Sequence, residues 1–159
     1  MFDDIFVYVV YYGIMRMNKK EKIKDYADGR LSIQYPSHMK FKCYKKGGSY
    51  HLKIDRDFFI SIAFLPEDCM DDLLQMQTDC RTYDDGMTKI SYLGKKVFGN
   101  NTTDVRVGVT RKLDGTFIEK RYQVLMTSVK TCCLTIEISG MKEFDIMDYA
   151  EILKSIHVE

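Results

Sequence analysis

The chain has 159 residues, 45% apolar and 30% charged, a length and balance that provide one hydrophobic core and exclude the disordered class. With 24 basic and 23 acidic residues the net charge is +1, so no global field steers the molecule to nucleic acid or anionic lipid, and a charged partner has to be met locally.

In chain order, the first feature is the apolar run from Ile5 to Met15. A signal peptide is disfavoured, because Asp3 and Asp4 stand where positive charge belongs and no small-residue cleavage site follows. As a helix these eleven residues would reach about 17 Å, half of the ~30 Å core of a bilayer. Their β-branched and aromatic content favours a strand, apolar on both faces and in need of cover. The alternatives are a start codon placed too early, with Met17 the true beginning, and a membrane-surface contact backed by Lys19, Lys20, Lys22 and Lys24. Residues 1–25 are therefore read as an apolar segment with a basic linker, and residues 26–159 as a single α+β domain.

From Asp28-Gly29 onward the sequence predicts strands separated by turns. Leu31 to Tyr35 alternates and stops at Pro36. Phe41 and Cys43 alternate with Lys40, Lys42 and Tyr44, and Gly47-Gly48 folds this strand back onto Tyr50–Ile54 as a hairpin. Phe58 to Phe64 is apolar almost throughout and should lie centrally. Pro66 and the acidic residues after it open a helix to Cys80, with Met70, Leu73, Leu74 and Cys80 as its buried stripe. A meander follows: Lys89–Tyr92, Lys95–Phe98, Val105–Thr110, Thr116–Leu125 and Thr131–Ile138, with Asp114-Gly115 as a type I′ turn. Ile146, Tyr149, Ala150, Leu153 and Ile156 mark a C-terminal amphipathic helix. The expected core contains Ile33, Tyr35, Ile60, Ile62, Phe64, Leu73, Val107, Leu134, Ile136, Tyr149 and Leu153.

Chemical motifs are sparse. The three histidines, His38, His51 and His157, form no metal-ligand pair. No glycine-rich loop cradles a phosphate, and no GxSxG elbow presents a nucleophile. Asp71-Asp72 and Asp84-Asp85 fit a helix start and a turn rather than a calcium loop. The five cysteines, Cys43, Cys69, Cys80, Cys132 and Cys133, are odd in number and read as reduced thiols of a cytoplasmic protein, with the cell envelope as the alternative. Overlapping sequons at Asn100 and Asn101 would matter only in a secreted chain. An enzyme would need His38 or His51 brought to a cysteine and a carboxylate.

Three stretches carry a family resemblance: Asp28-Gly29-Arg30-Leu31-Ser32-Ile33-Gln34-Tyr35-Pro36, the helix start at Pro66, and Tyr149-Ala150-Glu151-Ile152-Leu153-Lys154-Ser155-Ile156. From Tyr26 onward the chain resembles the PsbP/DcrB-like family, departing from it in having Ser37-His38-Met39 where a tryptophan often follows the Tyr-Pro. The resemblance implies an antiparallel sheet flanked by helices. Because that family includes photosystem-associated subunits, Ran-binding proteins and secretion chaperones, it also implies binding of proteins rather than catalysis. The expectation is a non-enzymatic adaptor or chaperone-like module, monomer or homodimer, with a protein partner, no nucleic acid and no cofactor. A membrane-surface role is the less favoured alternative. Candidate docking residues are Phe6, Tyr8, Val10 and Tyr12 in the first segment and Lys40, Lys42 and Tyr44 in the basic strand.

Overall fold

The computed structural model describes residues 21–44, 48–53, 57–79 and 82–159. The apolar run with Phe6, Tyr8, Val10 and Tyr12 lies outside the described residues, as do Ile54 and Cys80. The fold is α+β with two antiparallel sheets. A small sheet has the order β1-β2-β11, from β1 (Ile23–Ala27), β2 (Leu31–Pro36) and β11 (His157–Val158). The larger sheet has eight strands in the order β3-β4-β5-β10-β9-β8-β7-β6. These are β3 (Lys40–Tyr44), β4 (Ser49–Lys53), β5 (Phe58–Leu65), β6 (Thr82–Asp84), β7 (Thr88–Phe98), β8 (Asn101–Arg111), β9 (Phe117–Met126) and β10 (Cys133–Gly140). Helix α1 (Cys69–Asp79) follows β5, and a 3-10 turn (Ile146–Tyr149) leads into α2 (Ala150–Ser155).

Strand alternation decides where the core sits. Every second residue of the large sheet faces the small sheet and α2. One cross-strand row on that side runs Tyr50, Ile62, Ile136, Val124 and Val105, all buried. Leu31 and Ile33 of β2, Met39, Ile146, Ile152, Leu153 and Ile156 close the core from above. Two aromatic groups flank it. Tyr26, Tyr35, Phe41 and Tyr50 cluster under the small sheet, and Phe58, Tyr122, Phe144 and Tyr149 cluster near the start of α2.

The Asp28-Gly29 turn is tied down by Asp28. Its Oδ1 accepts the N–H groups of Arg30 and Leu31 at 3.0 Å each, and its Oδ2 accepts the hydroxyls of Tyr26 at 3.1 Å and Tyr50 at 2.8 Å. Burial pushes this carboxyl up, but the four donated hydrogen bonds outweigh burial and hold it at about 2. Burial and the bond to Asp28 push the Tyr50 phenol up to about 12. At the other end Asp145 and Asp148 form a capping box on the 3-10 turn. Asn101 Nδ2 donates to the carbonyls of Leu153 and Ile156 at 2.8 Å each and so closes α2.

Several expectations are corrected. Residues 89–92 and 95–98 belong to one strand, because Gly94, at φ +81°, admits a bulge in which Leu93 is the extra residue. Asp114-Gly115 is not a type I′ turn: the left-handed residue is Gly115 alone (φ +88°), Asp114 having a negative φ. β1 begins at Ile23, so Lys24 is a strand residue paired with Tyr35 rather than linker. Tyr35, Val107 and Tyr149 are half-buried at the core margin, and Leu73 is half-buried on the opposite face. The four described cysteines, Cys43, Cys69, Cys132 and Cys133, are free thiols.

Candidate functional site

Among the described residues, α1 is the element that covers the other face of the large sheet. Pro66 and Glu67 start the helix by accepting the N–H groups of Cys69 and Met70 at 3.1 and 3.2 Å, and Asp71 and Asp72 occupy its first turn, where the helix dipole favours negative charge. Met70, Leu73 and Leu74 are half-buried, and the fully buried residue among those described is Gln77, not an apolar one. Gln77 Nε2 donates to the Asp104 carbonyl at 3.1 Å beside the β7 bulge, which ties α1 to β8. Asp104 is itself buried and accepts the Tyr92 hydroxyl at 2.6 Å on Oδ2. Among the described residues, Gln77 Oε1 and Asp104 Oδ1 are buried acceptors without a hydrogen-bond donor.

Because α1 is fixed over β8, it leaves a groove of about 520 Å³ between itself and strands β5, β10 and β9. Phe59, Ala63, Leu65, Leu73 and Met76 form an apolar wall. His51, Ser61, Glu137, Gln123 and Arg106 supply a polar row along the floor, one residue from each of five consecutive strands. Arg106 Nε donates to Gln123 Oε1. Farther along, Arg121 pairs with Glu119 at 2.9 Å and Glu137 at 3.6 Å and donates to Ser139 Oγ at 3.1 Å. Those contacts, the Glu119 bond foremost, push the Arg121 guanidinium up.

The register places the basic strand beside this groove. Lys42 lies opposite His51, which lies opposite Ser61; Lys40 lies opposite Lys53, which lies opposite Phe59. Lys40, Lys42 and Tyr44 are all exposed on the groove side, and Tyr44 packs edge-on against His51 with ring centroids 4.9 Å apart. Phe41 and Cys43 point to the core side, as alternation requires. His38 is elsewhere, paired with Glu21 at the small sheet, and His157 is exposed on β11.

His51 shares the groove with Glu137 and Ser61, but no described cysteine lines it. Asp84 and Asp85 each accept backbone N–H groups of their own turn, Gly86 for the first and Met87 and Thr88 for the second. Among the described residues no group of three potential metal ligands occurs, and no helix is long and apolar enough to cross a membrane. Sequence reasoning missed the buried pair Gln77 and Asp104, since polar residues in a helix and in an alternating strand read as solvated. It also missed Lys53, which joins Lys40 and Lys42 only through cross-strand register, and it considered His51 only as part of a possible catalytic site.

The sequence matches no family model and no curated protein. The solved structures that share the fold include a bacterial and a yeast protein. A protein from Bacteroides thetaiotaomicron matches with a TM-score of 0.58 and 12% identity over 86% of this chain and 48% of that one. The Ran-binding protein Mog1p of Saccharomyces cerevisiae matches with a TM-score of 0.53 and 13% identity over 87% of this chain and 96% of its own. The chain thus spans about half the length of the Bacteroides protein and nearly all of the yeast one. Identities this low carry the fold and no more.

Proposed function

We propose that this protein is a non-catalytic module that binds another polypeptide on the open face of its large sheet, between α1 and the edge strand β3. The observation that carries the reading is the groove: five apolar side chains line a cleft on the sheet face that the core does not use. The floor is a row of polar groups, which suits recognition of a peptide's polar backbone as well as its side chains. Membership of the PsbP/DcrB-like family belongs to the same proposal. It is supported by the likeness in fold to a Ran-binding protein, since that family includes such proteins. The module acts in the cytoplasm as a monomer or homodimer. His51 serves as part of the floor of the docking surface and not as a general base.

A photocrosslinking residue at Ala63, within the groove, tests the proposal against the same residue at Leu113, on the far β8–β9 hairpin. In native cells the Ala63 position should yield a discrete protein adduct and the Leu113 position should not. Equal labelling from both positions, or no protein adduct from Ala63, would contradict the proposal.

A further inference from the structure

Strand β3 ends the eight-strand order, and among the described residues β4 is the strand it pairs with and nothing pairs with its outer edge. The residues on its groove side are unusually charged. Lys40 and Lys53 face each other directly across β3 and β4, and Lys42 stands two residues along. Like charges in directly opposed positions repel, their Cβ atoms being about 5 Å apart. Among the described residues none of these three lysines has a carboxylate within ion-pair distance. The same sheet face compensates its charges elsewhere, as Arg121 does with Glu119 and Glu137. With a net charge of +1 for the whole chain, this is, among the described residues, a local concentration of positive charge on the last strand of the sheet.

Lysines on an edge strand guard it against indiscriminate pairing. The same groups discriminate: a second copy of β3 would bring lysine against lysine, whereas a strand carrying carboxylates would relieve the repulsion between Lys40 and Lys53. On the opposite side of β3 the edge presents Phe41 and Cys43, both half-buried. A strand added there would place alternate residues beside the lysines and the others beside Phe41 and Cys43.

We propose that the partner is an extended polypeptide segment of alternating acidic and apolar residues, which pairs with the outer edge of β3 and sets its carboxylates against Lys40, Lys42 and Lys53. The inference rests on the protein-docking reading above and gives that partner its chemistry.

The test is a titration of the full-length protein, followed by amide chemical shifts. One probe is a peptide of about six residues, the usual strand length, alternating glutamate with valine; the control replaces glutamate by lysine. The glutamate peptide should shift the amides of residues 40–44. Its Kd should rise at least about tenfold in the double variant Lys42→Glu, Lys53→Glu, and also between about 0.1 M and 1 M salt, where the screening length falls from ~10 Å to ~3 Å. The lysine peptide should bind the double variant better than the parent. Equal binding of the two peptides would overturn the acidic chemistry while leaving the Ala63 crosslinking result, and hence the docking reading, untouched. Absence of shifts in β3, or β3 edge amides already protected from exchange in the free protein, would overturn the proposal outright.

Discussion

The two faces of the large sheet are built from the same strands, often from adjacent residues, and they differ in almost every physical respect. Tyr50, Ile62, Ile136, Val124 and Val105 form one row across five strands and are at most 4% exposed. One residue along each strand, His51, Ser61, Glu137, Gln123 and Arg106 form the neighbouring row on the other side, and all five are half-buried. The first face is covered by the small sheet and α2 and holds the molecule together. The second carries, among the described residues, helix α1, held over β8 by Gln77, and a groove. The contrast teaches that the two-residue period of the strand separates the face that holds the molecule together from the face proposed for docking, so each can change without the other.

That separation makes measurable demands, the largest on the core side. Ile62→Ala and Leu134→Ala each remove a fully buried side chain and should cost about 2–5 kcal/mol in denaturant unfolding. Ser61→Ala and Thr135→Ala, their chain neighbours on the groove side, should stay within about 0.5 kcal/mol. Comparable losses from both pairs would break the comparison.

Next in size is the clasp between the large sheet and α2. Asn101→Ala leaves the carbonyls of Leu153 and Ile156 without their side-chain donor and should cost about 1–3 kcal/mol. A loss below that range would mean that the helix is held by apolar packing alone.

The bulge in β7 is a smaller test. A Cβ on Gly94 meets open space, so Gly94→Ala isolates the strain of the left-handed backbone, about 1 kcal/mol. A neutral result would show that the strand relaxes there.

The remaining test concerns pH. Asp28 is held at about 2, below the ordinary 3.8 of an aspartate. Its contribution is therefore fully present above about pH 4 and lost as pH falls toward 2. The melting temperature should decline through that window, and Asp28→Asn should lessen the decline. An identical pH profile in the variant would assign the acid sensitivity to other carboxyls.

Much of this architecture was legible because it rests on periodicity. The alternation of Lys40, Phe41, Lys42, Cys43 and Tyr44 gave both the strand and the face each residue takes, and the apolar run from Phe58 to Phe64 marked a central strand, as β5 is. That same run hid the groove: Phe59 and Ala63 are as apolar as Ile60 and Ile62, and only the position of α1 turns them into a wall. Leu73 was read as core for the same reason. Gln77 and Asp104 were illegible because burying a polar group depends on a partner far away in sequence, here across a bulge that Gly94 permits. Asp28 was recognisable as a turn residue. Its bond to Tyr50, 22 residues on, was not.

The central claim is that the groove face recognises a partner and contributes little to folding. The most direct measurement pairs stability with partner retention in the double variant Leu65→Glu, Met76→Glu, at two exposed apolar positions of the groove. The account predicts an unfolding free energy within about 1 kcal/mol of the parent together with loss of the protein adduct formed at Ala63. Retention of that adduct at the parental level, or a loss of stability as large as that of Ile62→Ala, would contradict it.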